Sequence, residues 1–178
     1  MVPTCEKILV LGYGNPARGD DGLGPALIER LERASFEQVE TRVGYQLCVE
    51  DALDIGGFRQ VIFVDASYSA DPPFEYHPLQ EDATRAVLDT HGVSPEALML
   101  LARTLFGAET PAHILAIRGY AFEPFVEVLS SRAEKNLDLA LGHLSEQLSI
   151  GTEGTREKFD IHPDTDPEFS EKCCVAGT

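Results

Sequence analysis

Positive charge is scarce in this chain. Its 178 residues hold 14 lysines and arginines against 30 aspartates and glutamates, a formal net charge of −16. That balance argues against nucleic acid or an anionic membrane as a partner, because both need a basic footprint. Long apolar runs are missing too. None approaches the ~20 residues of a membrane span, and no charged-then-apolar leader opens the chain. These absences predict a soluble, cytoplasmic protein. Cysteine is sparse: Cys5, Cys48, Cys173 and Cys174 lack zinc-finger spacing and read as reduced thiols, with the vicinal pair incidental. No internal repeat occurs. There is no serine nucleophile elbow, no His-Glu-x-x-His and no cysteine with a histidine nearby.

What is present is organised around residues 7–24, Lys-Ile-Leu-Val-Leu-Gly-Tyr-Gly-Asn-Pro-Ala-Arg-Gly-Asp-Asp-Gly-Leu-Gly. An apolar run, Ile8 to Leu11, stops at Gly12, and a Gly-rich turn leads to a helix expected from about Asp21 to Arg33. Strand, loop and helix is the order in which an open α/β sheet places its site, beyond the carboxyl ends of its strands. Gly12-Tyr-Gly14 begins like a dinucleotide fingerprint, but Ala17 stands where the third glycine should be, and no Gly-Lys-Ser/Thr follows. Asp20 and Asp21 also occupy the place of a phosphate, which prefers bare N–H groups. One acid, Asp20, is expected either to cap the helix or to support the site from behind. The spare carboxylate, Asp21, points to a cation.

The second informative stretch is Gln60 to Ala66. Val61 to Val64 is continuously apolar, as in a strand buried on both faces at the centre of a covered sheet. Asp65 ends it and is expected in the same crevice as Asp21. The third stretch runs from Asp89 to Gly107. Ser94 caps a helix, Pro95 takes its first position, and Leu98, Leu101, Ala102 and Leu105 form the expected buried stripe. His91 sits in the loop just before the cap.

The remaining elements fill in around these. Gln38 to Val43 reads as a short strand, Leu47 to Leu53 as a short helix, and Phe74 to Pro78 as an edge strand limited by its prolines. Gln80 to Asp89 reads as irregular. His113 to Gly119 is a further strand, with His113 a strand-edge residue rather than a ligand. A last helix carries Leu137, Leu141, Leu144 and Leu148, with Ser131 and Glu134 as its capping box. Residues 1–150 are expected to form one domain ending near Leu148. Residues 151–178, with 7 acids and 3 bases, are expected to be an acidic, mobile tail. The element order is that of a three-layer α/β/α sandwich. Two carboxylates and an imidazole suit a borderline divalent metal with open positions. A metal-free alternative uses one carboxylate as general base on water.

At these residues the chain resembles the hydrogenase maturation proteases, over roughly residues 7–148. The signature is Gly12-Tyr-Gly-Asn15, Asp20-Asp-Gly-Leu-Gly24, Val64-Asp-Ala66, Thr90-His91, and Gly119 followed by an aromatic-Glu pair and Leu129-Ser. The resemblance implies a phosphorylase/hydrolase-like fold with a five-stranded, mostly parallel, mixed and twisted sheet. It implies an endopeptidase, aspartic-type by family assignment. Such an enzyme trims the C-terminal extension of a nickel-iron hydrogenase large-subunit precursor, working as a cytoplasmic monomer. Nickel already inserted in the precursor would be gripped by Asp21, Asp65 and His91, with Asp21 or Asp65 activating water and zinc or cadmium able to substitute. The metal would belong to the substrate, and the enzyme would hold no permanent cofactor. Where many relatives carry Asp-Gly-Gly after the second strand, this chain has Val43-Gly-Tyr45, so no role of that acid transfers. A non-catalytic nickel-sensing or escort protein is the alternative. Tyr45, Tyr68 and Tyr120 are expected to help set partner choice.

Overall fold

A computed structural model of the chain describes residues 5–80, 88–89 and 92–153. The elements in order are β1 (Cys5–Tyr13), α1 (Leu23–Ala34), β2 (Val39–Gly44), β3 (Phe58–Ser67), β4 (Phe74–Pro78), β5 (Leu88–Asp89), β6 (Gly92–Val93), α2 (Pro95–Phe106), β7 (Ala112–Arg118) and α3 (Ser131–Glu153). Five strands form one sheet in the order β2-β1-β3-β7-β4. All neighbours run parallel except β4, which pairs antiparallel with β7 at the edge. The mixed five-stranded sheet is the expected one, and β3 is its centre.

Three layers follow from the way the apolar strands divide their side chains. Ile8, Val10, Ile62, Val64, Leu115 and Ile117 face Leu23, Leu27 and Leu31 of α1 and Leu137, Leu144 and Leu148 of α3. Leu9, Leu11, Val61 and Phe63 face the other way, onto Leu98 and Ala102 of α2 and onto Ala52 and Ile55. Continuous apolar runs are required because both faces are covered. Each fully buried Leu or Ile contributes about 1.5–3 kcal/mol.

Several local expectations shift. The chain enters α1 through a 3-10 turn, Gly19–Gly22, and α1 proper starts at Leu23. The segment 47–53 is no α-helix but a 3-10 turn over Val49–Leu53, followed by another at Ile55–Gly57. Within 80–89, Leu88–Asp89 pairs with Gly92–Val93 as a small hairpin. In α2, Ser94 accepts a hydrogen bond from the Ala97 amide (3.2 Å), as its position predicts. Leu105 is 64% exposed, however. Ala97 and Met99 complete the buried face instead. The cap of α3 is Ser130 rather than Ser131: its hydroxyl accepts from the Ala133 amide (3.3 Å). That helix continues to Glu153, past the end expected at Leu148. The tail beyond it, with Cys173 and Cys174, lies outside the described residues. Among the described residues no helix is long and apolar enough to cross a membrane.

The feature that positions everything at the carboxyl end of the sheet is Gly24. A Cβ there would overlap the Tyr13 carbonyl oxygen and stand 2.7 Å from the Val64 carbonyl oxygen. The start of α1 is wedged directly on the ends of β1 and β3. Gly24→Ala is therefore expected to destabilise the fold by about 3 kcal/mol or more, read as a lowered midpoint in urea denaturation.

Candidate functional site

The chain goes from β1 out to β2 and then returns to place β3 on the other side of β1. The strand order reverses there, and the space beyond the strand ends at such a reversal is the usual ligand position in these sheets. Asp21, in the turn after β1, and Asp65, near the end of β3, both lie at this reversal.

Asp65 is partly buried. Burial pushes its carboxyl up to about 7, and the nearby Asp21 charge adds to the rise. Hydrogen bonds from the Ala66 amide and the Tyr13 hydroxyl act in the opposite direction. The Ala66 N–H donates at 2.7 Å. Tyr13 is itself raised well above the ordinary tyrosine value, first by burial and then by Asp65, with Glu96 contributing. Asp21 accepts a hydrogen bond from the Asn15 amide at 3.0 Å, which closes the Gly-rich turn over it. Asp21 and Asp65 thus stand close enough for one to disfavour the charge of the other. Glu96, in the first turn of α2, brings a third acid toward the Tyr13 hydroxyl.

Tyr13 and Glu96 were not singled out from sequence. Tyr13 could have been found as the last residue of a strand that ends in the site. Glu96 could have been found as a first-turn acid on the helix that follows the His91 loop. His91 lies outside the described residues. Among the described residues no cluster of three or more His, Cys, Asp or Glu is arranged to hold a metal. Two carboxylates are in place, and the expected imidazole falls on the segment not described. A Cβ built on its neighbour Gly92 would stand 3.8 Å from the Gln46 side chain, just past the carboxyl end of β2.

Asp20 does something other than cap a helix, since neither the 3-10 turn nor α1 has a side-chain cap. It is fully buried. Its carboxylate accepts from the amides of Tyr120 (2.7 Å), Ala121 (2.9 Å) and Ser130 (2.6 Å) and from the Ser130 hydroxyl (2.8 Å). Its own amide donates to the Ala121 carbonyl (2.7 Å). Burial pushes the carboxyl up, yet these donors outweigh it and hold it below the usual carboxylate range. Asp20 therefore ties the turn carrying Asp21 to the segment leading into α3.

The other expected residues separate clearly. His113 begins β7, at the far end of the sheet from Asp65, bonded to Gln60 (2.9 Å) and stacked on Tyr76. Tyr45 and Tyr68 are exposed. Tyr120 is not a rim residue: it packs against the core between the Arg118 and Arg132 guanidinium groups. Cys48 is an exposed free thiol.

No protein-family model matches the chain, and no curated protein matches it either. Solved structures do match. A hydrogenase 2 maturation peptidase from Thaumarchaeota archaeon SCGC_AB-539-E09 is 24% identical, with a TM-score of 0.60 over 82% of this chain and 99% of that one. The [NiFe] hydrogenase maturation protease HycI from Thermococcus kodakarensis KOD1 is 20% identical, with a TM-score of 0.63 over 80% and 92%. The hydrogenase maturating endopeptidase HybD from E. coli is 22% identical, with a TM-score of 0.62 over 81% and 93%. The chain shares the fold of these peptidases.

Two outcomes follow from the carboxylates. Asp65 is held above its unfolded value, so the folded state binds the extra proton between about pH 4 and pH 7, and stability falls as pH rises across that window. Asp65→Asn should therefore stabilise the protein at pH 8, by on the order of 3 kcal/mol. The gain should vanish near pH 4, as followed by urea denaturation at both pH values. Asp20 has the opposite sign: its contribution is present above the ordinary carboxylate range and lost as pH falls through its depressed value. Asp20→Asn should cost about 2–4 kcal/mol at neutral pH, because an amide N–H₂ then faces donors.

Proposed function

We propose that this protein is a hydrogenase maturation endopeptidase. It recognises nickel in the precursor of a nickel-iron hydrogenase large subunit and removes the precursor's C-terminal extension. The observation that carries the proposal is the pairing of Asp21 and Asp65 at the strand reversal, in a fold shared with maturation peptidases. Asp21, Asp65 and His91 are assigned to the metal. Glu96, five residues beyond His91 in the chain, acts on the Tyr13 hydroxyl at the end of β1, which supports this assignment.

Two carboxylates and one imidazole leave coordination positions open, so the ion is held best when the client brings its own ligands. Asp21 or Asp65 takes a proton from water as the water oxygen attacks the scissile carbonyl carbon. The C–N bond then breaks, and the proton passes to the leaving amine. The Tyr13 hydroxyl orients the Asp65 carboxyl throughout.

A non-catalytic nickel-sensing escort is the second reading, favoured by the absence of an acid at Val43-Gly44-Tyr45. Incubation with nickel-loaded precursor separates the two, with mass spectrometry detecting loss of a C-terminal peptide. Asp21→Ala, Asp65→Ala and His91→Ala are each expected to slow cutting by roughly 10²-fold or more while circular dichroism stays unchanged. Normal processing by all three variants would overturn the assignment. Tight binding of the precursor without any mass loss would establish the escort.

A further inference from the structure

We propose that the pocket beside the Asp21 turn seats one uncharged, apolar side chain of the client polypeptide, next to the bond that is cut. This inference rests on the peptidase reading above. The pocket has a volume of about 290 Å³ and is lined by Gly14, Pro16, Pro25, Val43, Gly44 and Tyr45. None of the six carries a charge, in a chain of net charge −16. A charged side chain placed here would meet no counter-charge among the lining residues.

Two large apolar side chains stand open on its rim. Val43 is 62% exposed and Tyr45 75% exposed, at the carboxyl end of the edge strand β2. Apolar surface left open around a concavity marks a binding site rather than a folding contact. The location identifies the occupant. Gly14 forms one wall, and the Asp21 carbonyl oxygen fills the space a Cβ on Gly14 would need. The next residue, Asn15, donates its amide to the Asp21 carboxylate. Pocket and carboxylate are thus two sides of one turn. A side chain in the pocket belongs to a backbone passing within one or two residues of the carboxylates, about 3.5–7 Å of extended chain. Burying that side chain sets the register of the client and decides which carbonyl faces Asp21 and Asp65. The Val43-Gly44-Tyr45 segment, which has no acid, then serves selection rather than chemistry.

The test uses the full-length protein and nickel-loaded large-subunit precursor. Residues on either side of the cut are replaced in turn by Leu, Ala or Asp, and cutting is followed by mass spectrometry. At one flanking position Asp is expected to lower kcat/KM by roughly 10- to 200-fold relative to Leu. Val43→Lys in the protein should then raise cutting of that Asp client by about tenfold and weaken cutting of the Leu client. A structural role for Val43 would not exchange the preference. If the native precursor is processed normally and the whole series is cut within about twofold, the pocket assignment is overturned and the peptidase reading stands. If folded wild-type protein cuts no precursor at all, both fall.

Discussion

Backbone meets backbone where α1 begins, and the rest of the site depends on that contact. With no side chain at Gly24, the first turn of the helix reaches the terminal carbonyls of β1 and β3. Any spacer would lift the helix and carry the preceding turn away from the sheet. The close approach fixes Asp21 relative to Asp65, although 43 positions separate them in the chain. From the other side, the four hydrogen bonds on Asp20 anchor the same turn to the start of α3. Two independent restraints act on one short loop, and the residue between them is the acid that faces the crevice.

Holding two carboxylates together in a half-dry crevice works against stability. Burial and the Asp21 charge both oppose ionisation of Asp65, while the Ala66 amide and Tyr13 hydroxyl favour it. The first pair outweighs the second, so the group sits near neutrality. Asp20 shows the reverse outcome one residue from Asp21: deeper burial, but enough donors to keep the charge. The contrast is set by the count of hydrogen bonds, since the residue type is the same. Active sites retain such unfavourable groups because the surrounding fold over-determines them.

Much of the architecture was legible in the sequence. The runs at Ile8–Leu11 and Val61–Val64 have to be covered on both faces, and this fixes a central sheet between helices. Ser94-Pro95 starts α2 where the cap chemistry says it should. The division of labour between Asp20 and Asp21 was not legible. Two identical neighbours can be told apart only by contacts with residues 120–130, a hundred positions away. The same is true of Ser130 and Ser131, where the Asp20 contact selects the first as the cap. Leu105 fits the helical stripe yet is exposed, because the docking of α2 buries Ala97 and Met99 in its place. Glu96 looks like an ordinary first-turn acid until the helix is docked over β1 and β3 and brings it to Tyr13.

The flanks of the sheet bear on how the molecule meets copies of itself. On one side β4 ends in Pro78, which has no N–H to offer an incoming strand. On the other, β2 carries Glu40 and Arg42, and the Arg42 guanidinium is engaged with Glu40 and Asp54. Prolines and committed charges on a border strand make a poor template for strand addition. Both margins of the five-stranded sheet therefore discourage the addition of a further strand from a second copy.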